Sequence, residues 1–310
     1  MPIYVVVGAG ATGSATARML AEAGAQVRLI TRSGSGPAHE RIERVRADAT
    51  DTARLVELTA GAAAVFNCAM PPYDRWPAEF PPLARALLTV VEQVGADYVM
   101  LGNAYGYGPV EGATTEDLPL TPTSVKGHIR AQMWHEALAA HDAGRVRVTE
   151  VRANDYLGAG AISPFTLMVG APVLDGSPVS YPGDLDAPHS WTYIGDAART
   201  LIAAAGHEKS WGRVWHVPST SEAPVRELAT RLAAAAGRRT PDLGRMTVDE
   251  LREIGRTNSV MAEFPEMLYL YDRPSILDAS ATKAVLNVTP TKVEDVLDEM
   301  ASAHGQRRRG

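Results

Sequence analysis

Gly8, Gly10 and Gly13 stand in the spacing G-x-G-x-x-G, and each position of that pattern suits one task. The first glycine permits a tight turn, the second lets backbone approach a pyrophosphate, and the third lets a helix pack closely on a strand. The N–H groups that open the helix, including those of Ala11 and Thr12, have no intrahelical partner and meet phosphate oxygens. The pattern carries weight only after a strand and at the start of a helix. Ile3 to Val7 is a short apolar run, and Ala11 to about Ala23 is an alanine-rich helical stretch, so that context is met. A dinucleotide cradle is expected; the plainer alternative is a strand-turn-helix whose glycines only shape the turn.

Other residues with chemical capacity follow at strand ends. Gln26 to Ile30 reads as a second strand that ends in Thr31-Arg32-Ser33, without a carboxylate. An acidic residue there suits a ribose 2′-hydroxyl and an arginine suits a 2′-phosphate, so Arg32 and Ser33 point to NADP. An arginine solvated in a turn is the alternative. Asp48, after a short strand over 44–47, either accepts from an adenine amino group or caps the next helix. After a fourth strand over 62–66, Asn67-Cys68-Ala69-Met70 forms a turn of small residues expected to lie over the cofactor. Tyr73, Arg75 and Trp76 then form a pocket rim or pack the next helix. A fifth strand, 97–101, runs into Asn103, Tyr105 and Tyr107. Thr123 or Ser124 caps a helix to about His141, and a sixth strand over 146–151 leads to Asn154.

Strands alternating with helices predict an α/β fold: a Rossmann-type, doubly wound parallel sheet with a smaller, mostly helical C-terminal substrate lobe. The dinucleotide-binding part is expected over 1–156, with 189–217 returning to it, and the lobe over 157–188 and 218–310. The chain has 310 residues, is 45% hydrophobic and carries a net charge of −6, which gives no basic footprint for nucleic acid. The Arg307-Arg308-Arg309 tail reads as a solvated end. A single cysteine, Cys68, excludes an internal disulfide framework. No apolar run reaches the roughly 20 residues of a membrane span, and no leader pattern precedes the first strand. A cytoplasmic protein is expected. The histidines lack metal-ligand spacing, so no metal is expected, and there is no G-x-S-x-G elbow. Asp196 reads as the N-cap of a helix over 197–205.

Taken together, Gly8-Ala9-Gly10-Ala11-Thr12-Gly13, Asp48, Phe66-Asn67-Cys68-Ala69, Tyr105-Gly106-Tyr107-Gly108 and the segment from His189 to Ala198 resemble the extended and atypical short-chain dehydrogenase/reductases, the NAD(P)-dependent epimerase/dehydratase group. The resemblance spans nearly the whole chain. It implies a Ser/Thr after strand five and a Tyr-x-x-x-Lys on the next helix, where tyrosine serves as acid/base and lysine holds the nicotinamide ribose. Here Asn103 stands at the first position. Lys126 and Arg130 stand at the Tyr and Lys positions, and no Tyr-x-x-x-Lys occurs in the chain.

Two readings of that departure stay open. In one, Lys126 is a substitute acid/base beside a cofactor, its pKa lowered by desolvation and by Arg130 one turn away. In the other, chemistry is lost and the chain binds nucleotide as a sensor. The expected activity is an NADP-dependent reductase of a carbonyl, imine or conjugated double bond in a small, apolar metabolite. Lys126 supplies the proton, Asn103 and Tyr105 orient the substrate, Arg130 fixes the ribose, and Tyr73, Trp76, Tyr107 and Asn154 line the substrate pocket. The alternatives are an NDP-sugar epimerase or dehydratase and a non-catalytic NADP sensor. The helices over 80–94 and 124–141 have apolar flanks suited to a homodimer interface.

Overall fold

The structure, a computed structural model, describes residues 2–307. Arg308 and Arg309 of the basic tail therefore lie outside the described residues. Seven parallel strands form the main sheet: β1 (Ile3–Val7), β2 (Gln26–Thr31), β3 (Ile42–Arg46), β4 (Ala62–Asn67), β5 (Asp97–Asn103), β6 (Val148–Ala153) and β7 (Arg213–His216). Their spatial order is β7-β6-β5-β4-β1-β2-β3. The order reverses beside β1, where β1 pairs with both β2 and β4. In open parallel sheets the crevice at such a reversal, beyond the C-terminal strand ends, is where ligands bind.

Period-two alternation loads both faces of the sheet. From β1, Val5 and Val7 join a core with helices α2 (Thr52–Thr59), α3 (Trp76–Val94) and α4 (Val125–Asp142). Val6 faces the other way, into a core shared with α1 (Ala11–Glu22) and α5 (Ile194–Ala205). Helix α3 begins at Trp76, earlier than its apolar spacing suggests. Pro77 sits in its first turn, where no intrahelical donor is lost, while Pro81 and Pro82 lie inside the helix and each remove one. Ser124 caps α4 by accepting from the Gly127 N–H.

A third core belongs to the lobe. Phe165, Trp191, Leu228, Leu232, Met267 and Val296 are buried together there, drawn in part from α6 (Val225–Ala235) and α7 (Val293–Arg307). Short parallel pairs join its pieces, including Asp155–Leu157 with Trp191–Tyr193. Ile276–Leu277 reaches back to pair with Ala113–Thr114. Among the described residues no helix is long and apolar enough to cross a membrane.

Two capping expectations are corrected. Asp48 does not cap α2: its Oδ1 accepts from the N–H and hydroxyl of Thr50 at 2.9 and 2.8 Å, and Asp51 caps the helix through the Arg54 N–H. Asp196 lies inside the first turn of α5, whose N-cap is Tyr193. Its carboxylate accepts from the N–H and hydroxyl of Thr291 at 2.8 and 2.7 Å and pairs with Arg199. A carboxylate in a first helical turn also meets the positive end of the helix dipole.

Candidate active site

The glycine turn closes the bottom of a long cavity of about 1120 Å³ at the sheet's reversal. Gly8 has φ +98°, and a Cβ there would lie 2.7 Å from the backbone of Ala69 and Cys68. Only glycine lets β1 turn so close to the end of β4. A Cβ on Gly13 would overlap the Gly8 carbonyl oxygen, so the third glycine sets the approach of α1 to β1.

Gly10 is different. A Cβ there would meet nothing within 4 Å, and its φ of −63° is open to any residue. Nothing within the chain demands glycine at this position, and the space in front of it is open. Helix α1 starts there with no side-chain cap. Its opening N–H groups are thus free to meet an anion, as a dinucleotide's pyrophosphate requires.

The cavity wall includes Gly8, Gly10, Ala11, Thr12, Gly13, Arg32, Ser33, Asp48, Cys68, Ala69, Met70, Tyr73, Trp76, Asn103, Tyr105, Arg130 and Asn154, all marked by the sequence. The turn after β4 is shaped by Asn67, which donates to the Tyr98 hydroxyl at 2.8 Å and accepts from the Ala69 N–H. Desolvation pushes the Cys68 thiol up to about 12, against a smaller opposing effect of the Thr16 side chain. Asp48 is held below the usual carboxylate range, first by the Thr50 bonds and further by Arg32.

Arg130 projects from α4 beneath the cavity. It donates to the Leu101 carbonyl at 3.1 Å, and its guanidinium lies 4.8 and 4.5 Å from the Trp76 and Phe80 ring centroids. Its Nε is buried with no hydrogen-bond partner. Burial pulls its pKa down, and the carboxylate of Glu150 opposes that. Asn103 Oδ1 accepts from the Tyr105 N–H at 3.2 Å, which leaves the amide NH₂ as its donor end.

Two expected site residues stand elsewhere. Tyr107 leaves the cavity because the 3₁₀ turn Ala104–Tyr107 sends it into the core. Its hydroxyl meets His216 Nε2 at 2.7 Å, Arg152 covers its ring, and desolvation pushes it up to about 12. Lys126 does not line the cavity either. It is fully buried, paired with Glu263 and with Glu266 at 3.0 Å, and its Nζ lies 4.5 Å from the Tyr73 ring centroid. The reason is distant in sequence. Glu266 also accepts from the Val125 N–H at 2.7 Å, and the Tyr269 hydroxyl donates to the Tyr105 carbonyl. The lobe thus docks on the start of α4 and takes up the lysine.

Sequence reasoning missed Asp155, Tyr156, Phe264 and Tyr271, which also line the cavity. Asp155 and Tyr156 follow the C-terminal end of β6, the end where ligands bind in such sheets, and that position was the available signal. Phe264 and Tyr271 come from the lobe and carried none. Desolvation raises the hydroxyls of Tyr73, Tyr105, Tyr156 and Tyr271 above the ordinary tyrosine range. The Arg130 charge offsets part of this at Tyr105 and Tyr156. Tyr73 and Tyr105 hydroxyls also interact with each other.

Residues 3–217 match the NAD dependent epimerase/dehydratase family. The chain belongs to that family. Among solved structures it is similar to dTDP-glucose 4,6-dehydratase from Bacillus anthracis in complex with NAD, at 18% identity and TM-score 0.80, covering 100% of this chain and 98% of that one. It is similar to UDP-glucuronic acid 4-epimerase from Bacillus cereus in complex with NAD, at 19% identity and TM-score 0.78, covering 98% and 99%. It is also similar to DesIV, a dTDP-glucose 4,6-dehydratase from Streptomyces venezuelae, at 21% identity and TM-score 0.80, covering 99% and 98%. No curated protein matches the sequence significantly. At these identities the likeness speaks to the fold.

Proposed function

We propose that the protein is an NADP-dependent reductase of a carbonyl, imine or conjugated double bond in a small, largely apolar metabolite. When bound, the nicotinamide dinucleotide supplies hydride. The observation that carries the reading is one cavity joining the glycine cradle to a chamber walled by Tyr73, Tyr105 and Tyr271. Their hydroxyls are held protonated by desolvation. A neutral phenol can give a proton to a developing oxyanion or nitrogen anion; desolvation weakens it as an acid, and the Arg130 charge offsets part of that at Tyr105.

The chain's own residues divide the work. The α1 N–H groups and Gly10 hold the pyrophosphate, and Asp48 holds the adenine edge. Arg32 and Ser33 hold a 2′-phosphate, and Arg130 holds the nicotinamide ribose. Asn103 orients the substrate through its NH₂, and Tyr105, with Tyr73 behind it, donates the proton. Lys126 positions Tyr73 from the far side of its ring.

NADPH is expected to bind more tightly than NADH, and turnover with a carbonyl and enone panel is expected to fall by about a hundredfold or more in Tyr105→Phe. Full turnover in that variant, or preferential NADH binding, overturns the corresponding assignment.

A second reading is transient oxidation of a nucleoside-diphosphate sugar. It is favoured by the similarity to dehydratases and an epimerase that act on such compounds. Conversion of UDP-glucose or dTDP-glucose by the protein with NAD+ would replace the first reading with the second.

A further inference from the structure

Asp155 is only 8% exposed, yet it lies on the wall of the cavity. Its Oδ2 is 2.8 Å from His189 Nε2, but the approach is too poorly aligned for hydrogen bonding. Both atoms are buried without a hydrogen-bond partner. A carboxylate so placed has lost water and gained little in return, and such a group calls for a donor or a cation.

Among the described residues no lysine or arginine supplies it, and His189 does so only when protonated. The cavity's basic residues are Arg32 and Arg130. Arg32 follows β2 at the opposite arm, and Arg130 is taken up by the Leu101 carbonyl and the Trp76 and Phe80 rings. Around Asp155 the wall is aromatic. His189 stacks on Tyr271 (centroids 6.1 Å apart, 23° between planes), and Tyr271 stacks on Phe264 (5.9 Å, 22°). Tyr73 and Tyr105 line the same chamber. A buried carboxylate among aromatic faces suits a nitrogen cation, held by ion pairing and by the ring quadrupoles together. The same surroundings repel a phosphate or a carboxylate.

We infer that Asp155 is the specificity determinant of the substrate chamber and that it selects a ligand bearing a protonated amine or iminium beside an apolar body. The inference rests on reading this chamber as the substrate site. It narrows the reductase proposal toward imine-type or amine-bearing substrates and away from nucleoside diphosphates.

The test uses three matched probes on the protein saturated with NADP+: 2-phenylethylamine, 2-phenylethanol and phenylacetate, with affinities read by calorimetry. The amine is expected to bind about tenfold or more tightly than phenylacetate, and Asp155→Asn is expected to erase most of that ratio. NADPH affinity should stay at its wild-type value in the variant, and Tm should hold or rise. Equal or tighter binding of phenylacetate, binding of none of the three, or a ratio retained in a folded Asp155→Asn protein overturns the inference. If the variant fails to fold, the wild-type ratio decides alone. NADPH binding and NADPH oxidation with neutral ketones are measured on the same preparation. Amine selectivity without any NADPH chemistry sinks the reductase proposal alone, and NADPH chemistry without selectivity sinks this inference alone.

Discussion

Lys126→Met separates a positioning lysine from a proton donor. The lysine is fully buried, while the side chains of Glu263 and Glu266 keep 30% and 24% exposure. Removing one partner of a wholly buried pair costs about 3–5 kcal/mol, and an exposed pair contributes about 0–1 kcal/mol. With two part-exposed carboxylates left behind, about 2–3 kcal/mol is expected. For a chain of this size that lowers Tm by about 4 °C. Adding Glu263→Gln and Glu266→Gln to Lys126→Met should recover half or more of the loss, since no orphan charge then remains. NADPH affinity should hold within about twofold, because Lys126 is off the cavity wall. Steady-state kinetics should show a raised KM with kcat reduced less than about tenfold, against the 10²–10⁴ typical of a lost general acid. A fall in kcat beyond a hundredfold, with Tm and KM at wild-type values, would refute this reasoning and make Lys126 the acid.

Further outcomes follow from the same geometry. Gly10→Ala should leave thermal stability unchanged or raised by about 0.4–1 kcal/mol, while NADPH affinity falls by roughly tenfold or more. Gly13→Ala, whose Cβ meets the Gly8 carbonyl, should destabilise by about 1–3 kcal/mol or more in urea titrations. If the two variants behave alike, the distinction between a packing glycine and a ligand glycine fails. Arg32→Ala should reduce the NADPH-over-NADH preference by about tenfold with NADH affinity unchanged, as read by fluorescence quenching. Burial pulls the His216 pKa down from 6.5 to about 4. The unfolded chain therefore takes up this proton first. The stability from neutral His216 is present above about pH 6.5 and is lost as pH falls toward 4, to about 3 kcal/mol. His216→Gln should flatten the urea midpoint over that window, and an unchanged slope would remove His216 as its source.

The cofactor half was legible because its signals are local. Gly8, Gly10 and Gly13 act on their own turn and helix, and the apolar runs of β1, β2 and β4 state their strands directly. Ser124 announced the start of α4. The fate of α4's side chains was not legible from the helix itself. Lys126 meets Glu263 and Glu266 more than a hundred positions later, and no spacing rule spans that distance. Tyr105 and Tyr107 are two residues apart, and the turn sends one to the cavity and the other to the core. Asp48 and Asp196 show a subtler limit. A polar residue before a helix reads as a cap, whereas Asp51 and Tyr193 occupy those positions. Asp155 was hidden for the opposite reason: a carboxylate in a loop reads as solvated until the lobe is built around it.

Part of the cavity wall comes from late in the chain: Asn258, Val260, Met261, Phe264 and Tyr271 line it, and Ile276–Leu277 ties that region to Ala113–Thr114. During synthesis from the N-terminus, the glycine turn and the strands beside it emerge long before those residues. The cavity wall is therefore complete only once this last part of the chain has docked on the start of α4 through Lys126.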